Sequence, residues 1–277
     1  MQSTRSYLVF LLAAAQLCHA DATKPQTRDD VSVGGRTIKL PPPAGFERID
    51  GLNKEKDRLV ESMLAASNRY LARFEPLKTN AADTGRSFNS QVLRSLENRE
   101  IGDRTFAEMK QQTKKELDQA KAAIDAEVAK AKGKAEKAMQ DATGADAALS
   151  VSDVAVLGYF SETPNSLGFT MAMNLAAQSG DHAIKVKGVI ASMIVPVNGR
   201  LIYLYANADF NSAADRQWAE NAVTAWRDAV LAANPRVEGP PAHRSIFDGV
   251  GRSAIFGAIA GAIGGLVAML LKKKRKT

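Results

Sequence analysis

The residues best suited to chemistry are few and far apart. Three histidines and one cysteine occur in 277 residues. Cys18 and His19 fall near the start of the chain, leaving His182 in a turn and His243 in a proline-rich stretch. Two isolated imidazoles without Cys or acidic companions at ligand spacing do not make a zinc site. No Gly-x-Ser-x-Gly elbow, phosphate-binding loop or dinucleotide fingerprint occurs. The expectation is a non-enzyme that needs no metal and no cofactor.

What remains are side chains suited to contact rather than reaction. Tyr203 and Tyr205 fall on one face of a strand, and Trp218 and Trp226 on one face of a helix. These four form the candidate ligand or partner face. Cross-strand aromatic packing is the ordinary alternative for the tyrosines and for Tyr159 with Phe160. Met171, Met173 and Met193 read as adaptable core filler. Asp209 reads as a residue that shapes a turn.

The elements that must carry these residues are readable from periodicity. Leu167, Phe169, Met171, Met173 and Leu175 alternate with small or polar residues, the period of a strand. Runs at 151–160, 184–197 and 200–206 complete a four-stranded antiparallel meander. Asn198-Gly199 joins the last two as a type I′ hairpin, which needs two positive φ angles. Ser212 and Asp215 then start a helix that ends at Asn234-Pro235. Upstream, Lys54 to Ala66 reads as an amphipathic helix behind Asn53, and 69–74 and 87–96 as strands. Arg36 to Leu40 reads as a short edge strand, and Pro41 to Pro43 as a stiff extended segment. From Thr105, with Glu108 in a capping box, a long charged helix is expected to about residue 140. Its apolar stripe runs Phe106, Met109, Leu117, Ala120, Ile124, Val128 and then thins to alanine. A coiled coil is the sharper reading of this helix, weakened by the lack of large residues after Val128.

The two ends of the chain address location. Met1 to Ala20 has the charged, apolar and small-residue order of a secretory signal peptide. Residues 21–35 read as a flexible lead-in and 235–253 as a linker. From Ala254 to Leu271 there are 18 residues without a charge. That is near the lower limit for a membrane-spanning helix, about 27 Å at 1.5 Å per residue. Gly257, Gly261 and Gly265 share one face, a small-residue ridge of the kind that pairs helices. Lys272, Lys273, Lys274, Arg275 and Lys276 follow as a basic flank that stays cytoplasmic by the positive-inside rule. The sequence thus predicts a bacterial inner-membrane protein with a single span and its bulk, 36–234, in the periplasm. Setting aside Arg5 and the five basic tail residues leaves 31 basic against 30 acidic residues, from totals of 37 and 30. The exported part has no excess positive charge to suggest nucleic-acid binding.

One resemblance follows from the order of elements. A Pro43-Ala44-Gly45-Phe46 opening, two strands, a long helix, a meander with its Asn198-Gly199 hairpin and a closing helix resemble the PsbP-like α/β sandwich over 36–234. The charged Ala-rich extension after Leu117 and the apolar C-terminal segment depart from that family. Its members include secreted or envelope-associated accessory proteins, and the resemblance implies such a role without carrying over any functional residue. The expected fold class is α+β: an antiparallel sheet with packed helices, one long charged helix and a C-terminal transmembrane helix. The expected function is a membrane-tethered periplasmic accessory protein. It would engage an envelope protein partner or self-associate through the glycine ridge. The alternative is a periplasmic domain that binds a small molecule or lipid at the membrane.

Overall fold

A computed structural model describes residues 28–64, 66–79, 85–119, 137, 147–179 and 182–236. Its centre is a seven-stranded, wholly antiparallel sheet. In chain order the strands are β1 (Asp30–Val33), β2 (Arg36–Lys39), β3 (Phe46–Arg48), β4 (Asn68–Pro76), β5 (Arg86–Leu93), β6 (Ala147–Thr163), β7 (Ser166–Ser179), β8 (His182–Val197) and β9 (Arg200–Asp209). The helices are α1 (Lys54–Met63), α2 (Asp103–Gln119) and α3 (Ala213–Ala233). The large sheet runs β3-β4-β5-β9-β8-β7-β6, and β1-β2 form a separate hairpin.

The meander follows from local turn chemistry. Asn198 and Gly199 have φ of 47° and 72°, the two positive angles a type I′ turn requires, and β8 and β9 pair from Val197↔Arg200 outward. β6 is the long edge strand. It slips register against β7 between Ser152/Ala155, Val156/Gly158 and Tyr159/Ser161, with Gly158 at φ 119°. β1 begins within the stretch read as a lead-in, because Val31 and Val33 bury themselves in the core as partners of Ile38 and Arg36.

Register divides the sheet into two unlike faces. On one, Phe74, Phe88, Ala206 and Ala191 lie in one cross-strand row beside Leu204, Met193, Val189 and Ile202. α3 lays Ala219, Val223, Trp226 and Val230 across this apolar face. Its start is held by the Asp215 carboxylate, which accepts the backbone N–H groups of Ser212 at 2.9 Å and Asn211 at 3.0 Å. Trp226 meets Phe74 and Phe88 edge-on, with ring centroids 5.3 and 5.4 Å apart. The β1-β2 hairpin closes the far side: Asn234 pairs with the backbone of Lys39 through both its amide oxygen and its amide nitrogen, at 2.8 and 2.7 Å. A charged knot ties that hairpin to the β8-β9 turn. Glu100 accepts from Arg36 at 2.7 Å and Arg200 at 3.0 Å, and Arg36 also donates to the carbonyl of Asn198.

α1 and α2 occupy the opposite face. α2 buries Phe106, Met109, Thr113 and Leu117, the spacing expected from its stripe. It starts at Asp103, two residues before the expected capping box, so Glu108 pairs instead with Arg104 at 3.0 Å. Lys114 hydrogen-bonds Glu162 on β6 and holds its carboxyl below the usual range, while Tyr159 donates to the carbonyl of Lys114 at 3.0 Å. The course of this helix beyond Gln119, including the stripe after Leu117, lies outside the described residues.

One part of the expected fold class requires correction. The fold is an α+β sheet with helices on both faces, but no helix among the described residues is long and apolar enough to cross a membrane. The helices present are amphipathic, with an apolar stripe turned to the sheet and exposed charges such as the Arg104–Glu108 pair on the other side. The described fold thus contains no transmembrane helix. The stretch 254–271 where one is expected, with Gly257, Gly261, Gly265 and the basic run Lys272 to Lys276, lies outside the described residues, as does 1–27.

Candidate functional site

The two pairs of aromatic residues predicted to share a face are separated by the sheet. Trp226 is buried among the apolar residues under α3, where its indole N–H reaches the carbonyl of Pro41. Trp218 is half-buried beside Phe46 and Phe88, with the Arg86 guanidinium 4.3 Å above its ring. Tyr203 and Tyr205 alternate with Ile202, Leu204 and Ala206 and so point to the other face, fully buried, their rings stacked 6.4 Å apart. Met171 and Met193 are core residues, as expected, on opposite faces.

The tyrosines belong to a polar layer that periodicity alone does not reveal. One row runs Arg73, Asn89, Tyr205, Ser192 across β4, β5, β9 and β8. The next runs Tyr70, Gln91, Tyr203. Asn207 pairs with Ser87 in the row on the other side. All of these except Tyr70 and Ser87 are buried, and the side-chain atoms of Tyr70 that matter are enclosed as well. Within the layer, Asn68 donates to Gln91 at 2.9 Å and Gln91 donates to Asn89 at 2.9 Å.

A β-bulge brings Tyr70 and Arg73 together. Three positions apart in a regular strand, their side chains would face opposite ways. The pairing of β4 with β5 shifts between Tyr70 and Ala72, which places Leu71 at the irregularity and turns Tyr70 to the same face as Arg73. The two line a small cleft of about 80 Å³, open to solvent, with Leu71, Asp50, and Asp57, Val60 and Glu61 of α1.

Hydrogen bonding in this cleft is incomplete. Arg73 is 5% exposed and contacts Asp57 through Nη2 at 3.3 Å, yet its Nε and Nη1 have no partner among the described residues. The Tyr70 hydroxyl likewise has none. Asp50 is engaged: it accepts from Arg48 at 3.0 Å and from the backbone N–H of Arg73 at 2.8 Å. Asp57 also accepts the N–H of Gly51 at 2.8 Å. Further into the layer, Asn89 Nδ2, Ser192 Oγ and Asn207 Oδ1 are buried without partners among the described residues. Buried polar groups are paired in the great majority of cases, so these atoms call for a partner, either an ordered water or a bound molecule. Burial pushes the Tyr70 hydroxyl well above the ordinary phenol range; Arg73 opposes the shift and Asp50 reinforces it. Burial does the same to Tyr203 and Tyr205. All three are therefore neutral hydroxyls at physiological pH, able to donate.

In chemical terms the cleft offers donors inside and carboxylates at its mouth. Asp50, Asp57 and Glu61 converge with Arg73, but no group of three His, Cys, Asp or Glu among the described residues is arranged to hold a metal ion.

Comparison with known proteins adds little to the fold. No protein-family profile and no curated protein sequence matches this chain. It is similar to the solved structure of a point mutant of the protein Mog1, at 12% identity and a TM-score of 0.27, over 74% of this chain and 91% of that one. A likeness that slight carries no argument about fold or function.

Proposed function

We propose that this chain is a non-catalytic accessory domain of the bacterial envelope that binds a small polar molecule in the cleft between α1 and β4. The reading includes the PsbP-like layout as its architectural class, resting on the order of elements described above. One observation carries it: the Arg73 guanidinium and the Tyr70 hydroxyl are buried side by side at a cleft with three donor groups unsatisfied. Leaving such donors unpaired costs about 1–3 kcal/mol each, which a bound acceptor would recover. The apolar face is packed by α3, whose Ala219, Val223, Trp226 and Val230 are buried in it, so the alternative of a pocket under Trp218 and Trp226 has less support.

Native mass spectrometry of the full-length protein, purified under gentle conditions, tests this reading. A discrete small-molecule mass, lost in Tyr70→Phe, is the expected result. A bare monomer, with no added mass in any preparation and no thermal stabilisation by an envelope metabolite extract, would overturn it.

Engagement of a protein partner is a second reading with its own observation. β8 pairs with β9 only from Gly188 onward, so residues 182–187 continue past the end of β9 alongside β7 and β6 as a three-stranded extension. A stoichiometric protein mass in the same experiment supports that reading.

A further inference from the structure

The charges of the cleft narrow what it binds. Its lining holds Asp50, Asp57 and Glu61 against Arg73, and Arg48 compensates Asp50 from behind at 2.9 Å. Three carboxylates against two guanidiniums leave one negative charge. That charge is not spread evenly. Asp50 and Asp57 are each held by an arginine, whereas the exposed Glu61 carboxylate makes no hydrogen bond or ion pair among the described residues. The inner end is the reverse: Arg73 Nε and Nη1 and the Tyr70 hydroxyl are donors without acceptors.

Simple ligands match only one end of this arrangement. A phosphate would satisfy the donors but bring about two negative charges against a cleft that is already negative. An amine would suit Glu61 and leave the buried donors unmet. A neutral carbonyl would answer one donor and ignore the rim. The enclosed space is about 80 Å³, well below the roughly 300–1,000 Å³ of drug-sized ligand pockets, so it admits only a small molecule and a lipid chain is too large. Resting on the ligand-binding reading above, we infer that the cleft takes a small zwitterionic amino carboxylate. The carboxylate accepts from Tyr70 and Arg73, and the ammonium faces Glu61.

Calorimetric titration and thermal unfolding of the full-length protein decide the class. The probes are the standard L-amino acids, acetate, ethylammonium and inorganic phosphate, at matched ionic strength. At least one amino acid is expected to bind about tenfold or more tighter than acetate or ethylammonium, a difference of roughly 1.4 kcal/mol. Glu61→Gln, at an exposed position that folding does not need, should shrink the preference for that amino acid over acetate. Tyr70→Phe should weaken the amino acid and acetate alike. Phosphate or acetate binding as tightly as every amino acid would overturn the class and leave the ligand-binding reading standing. No binding by any probe, with a co-purified ligand of another class, would do the same. No binding and no co-purified ligand would remove both.

Discussion

The indole N–H of Trp226 donates to the backbone carbonyl of Pro41 at 2.8 Å, joining two positions 185 residues apart. The bond explains why the proline segment runs where it does. Pro41 to Pro43 lead the chain from the β1-β2 hairpin to β3, and the partly buried carbonyl of Pro41 finds its donor in the tryptophan. Trp226→Phe keeps an aromatic ring against Phe74 and Phe88 but removes the donor. The expected loss is about 1–3 kcal/mol of stability. Denaturant unfolding should show a lower midpoint with an unchanged slope; an unchanged midpoint would mean that water replaces the indole.

Gly34 and Gly35 offer a controlled pair. Both have positive φ, 54° and 75°. A Cβ on Gly34 would run into the backbone carbonyl of Glu97 and stand 2.7 Å from Arg200 Nε, whereas one on Gly35 meets nothing. Gly35→Ala should therefore carry only the left-handed strain of about 1 kcal/mol, and Gly34→Ala distinctly more. Equal melting temperatures for the two variants would show that the hairpin yields.

Stability should fall in alkali. Tyr70, Tyr203 and Tyr205 are held neutral above the ordinary phenol range by burial. A group whose folded pKa is raised binds its proton more tightly when folded. Its contribution is complete below the unfolded value, near 10, and is lost as pH rises toward the folded value. Each tyrosine would then take away roughly 1.4 kcal/mol per pH unit above that point. Tyrosinate absorbance should show these residues titrating only as the protein unfolds. Free titration of all five tyrosines in the native state would contradict their burial.

Ser192 tests whether the polar layer is kept for function. Its hydroxyl is buried without a partner among the described residues. Ser192→Ala removes an unsatisfied group at little cost in packing, so stability should hold or rise by up to about 1 kcal/mol. A marked drop in melting temperature would reveal an ordered water at this position.

How much of this was legible beforehand depends on range. The Asn198-Gly199 hairpin, the alternation of β7 and the start of α3 at Ser212 rest on neighbouring residues, and each appears where local chemistry places it. β1 escaped because Asp30 to Val33 alternates over only four residues, too short a run to stand out, and its burial depends on a distant core. The cleft was illegible for two reasons. Tyr70 and Arg73, three apart, read as opposite-facing until a bulge turns one of them. Asn89 and Gln91 fall inside the expected strand 87–96, and nothing in their neighbours marks a buried polar layer. The Tyr203/Tyr205 and Trp218/Trp226 grouping failed to predict a shared surface because no local pattern says which face of a sheet a later helix will choose.

The irregular pairing of β6 has a consequence for the molecule in a crowded compartment. A 17-residue strand at the border of a sheet presents a long row of backbone donors and acceptors, an invitation for another chain to add a strand. Three register slips and a glycine at φ 119° interrupt that row, so that no long stretch keeps the regular spacing a foreign strand would need. What looks like imperfect pairing within one molecule is thus a guard against fibrous association between molecules. Straightening β6, for instance by replacing Gly158 with valine, would trade a tidier border for a tendency to aggregate.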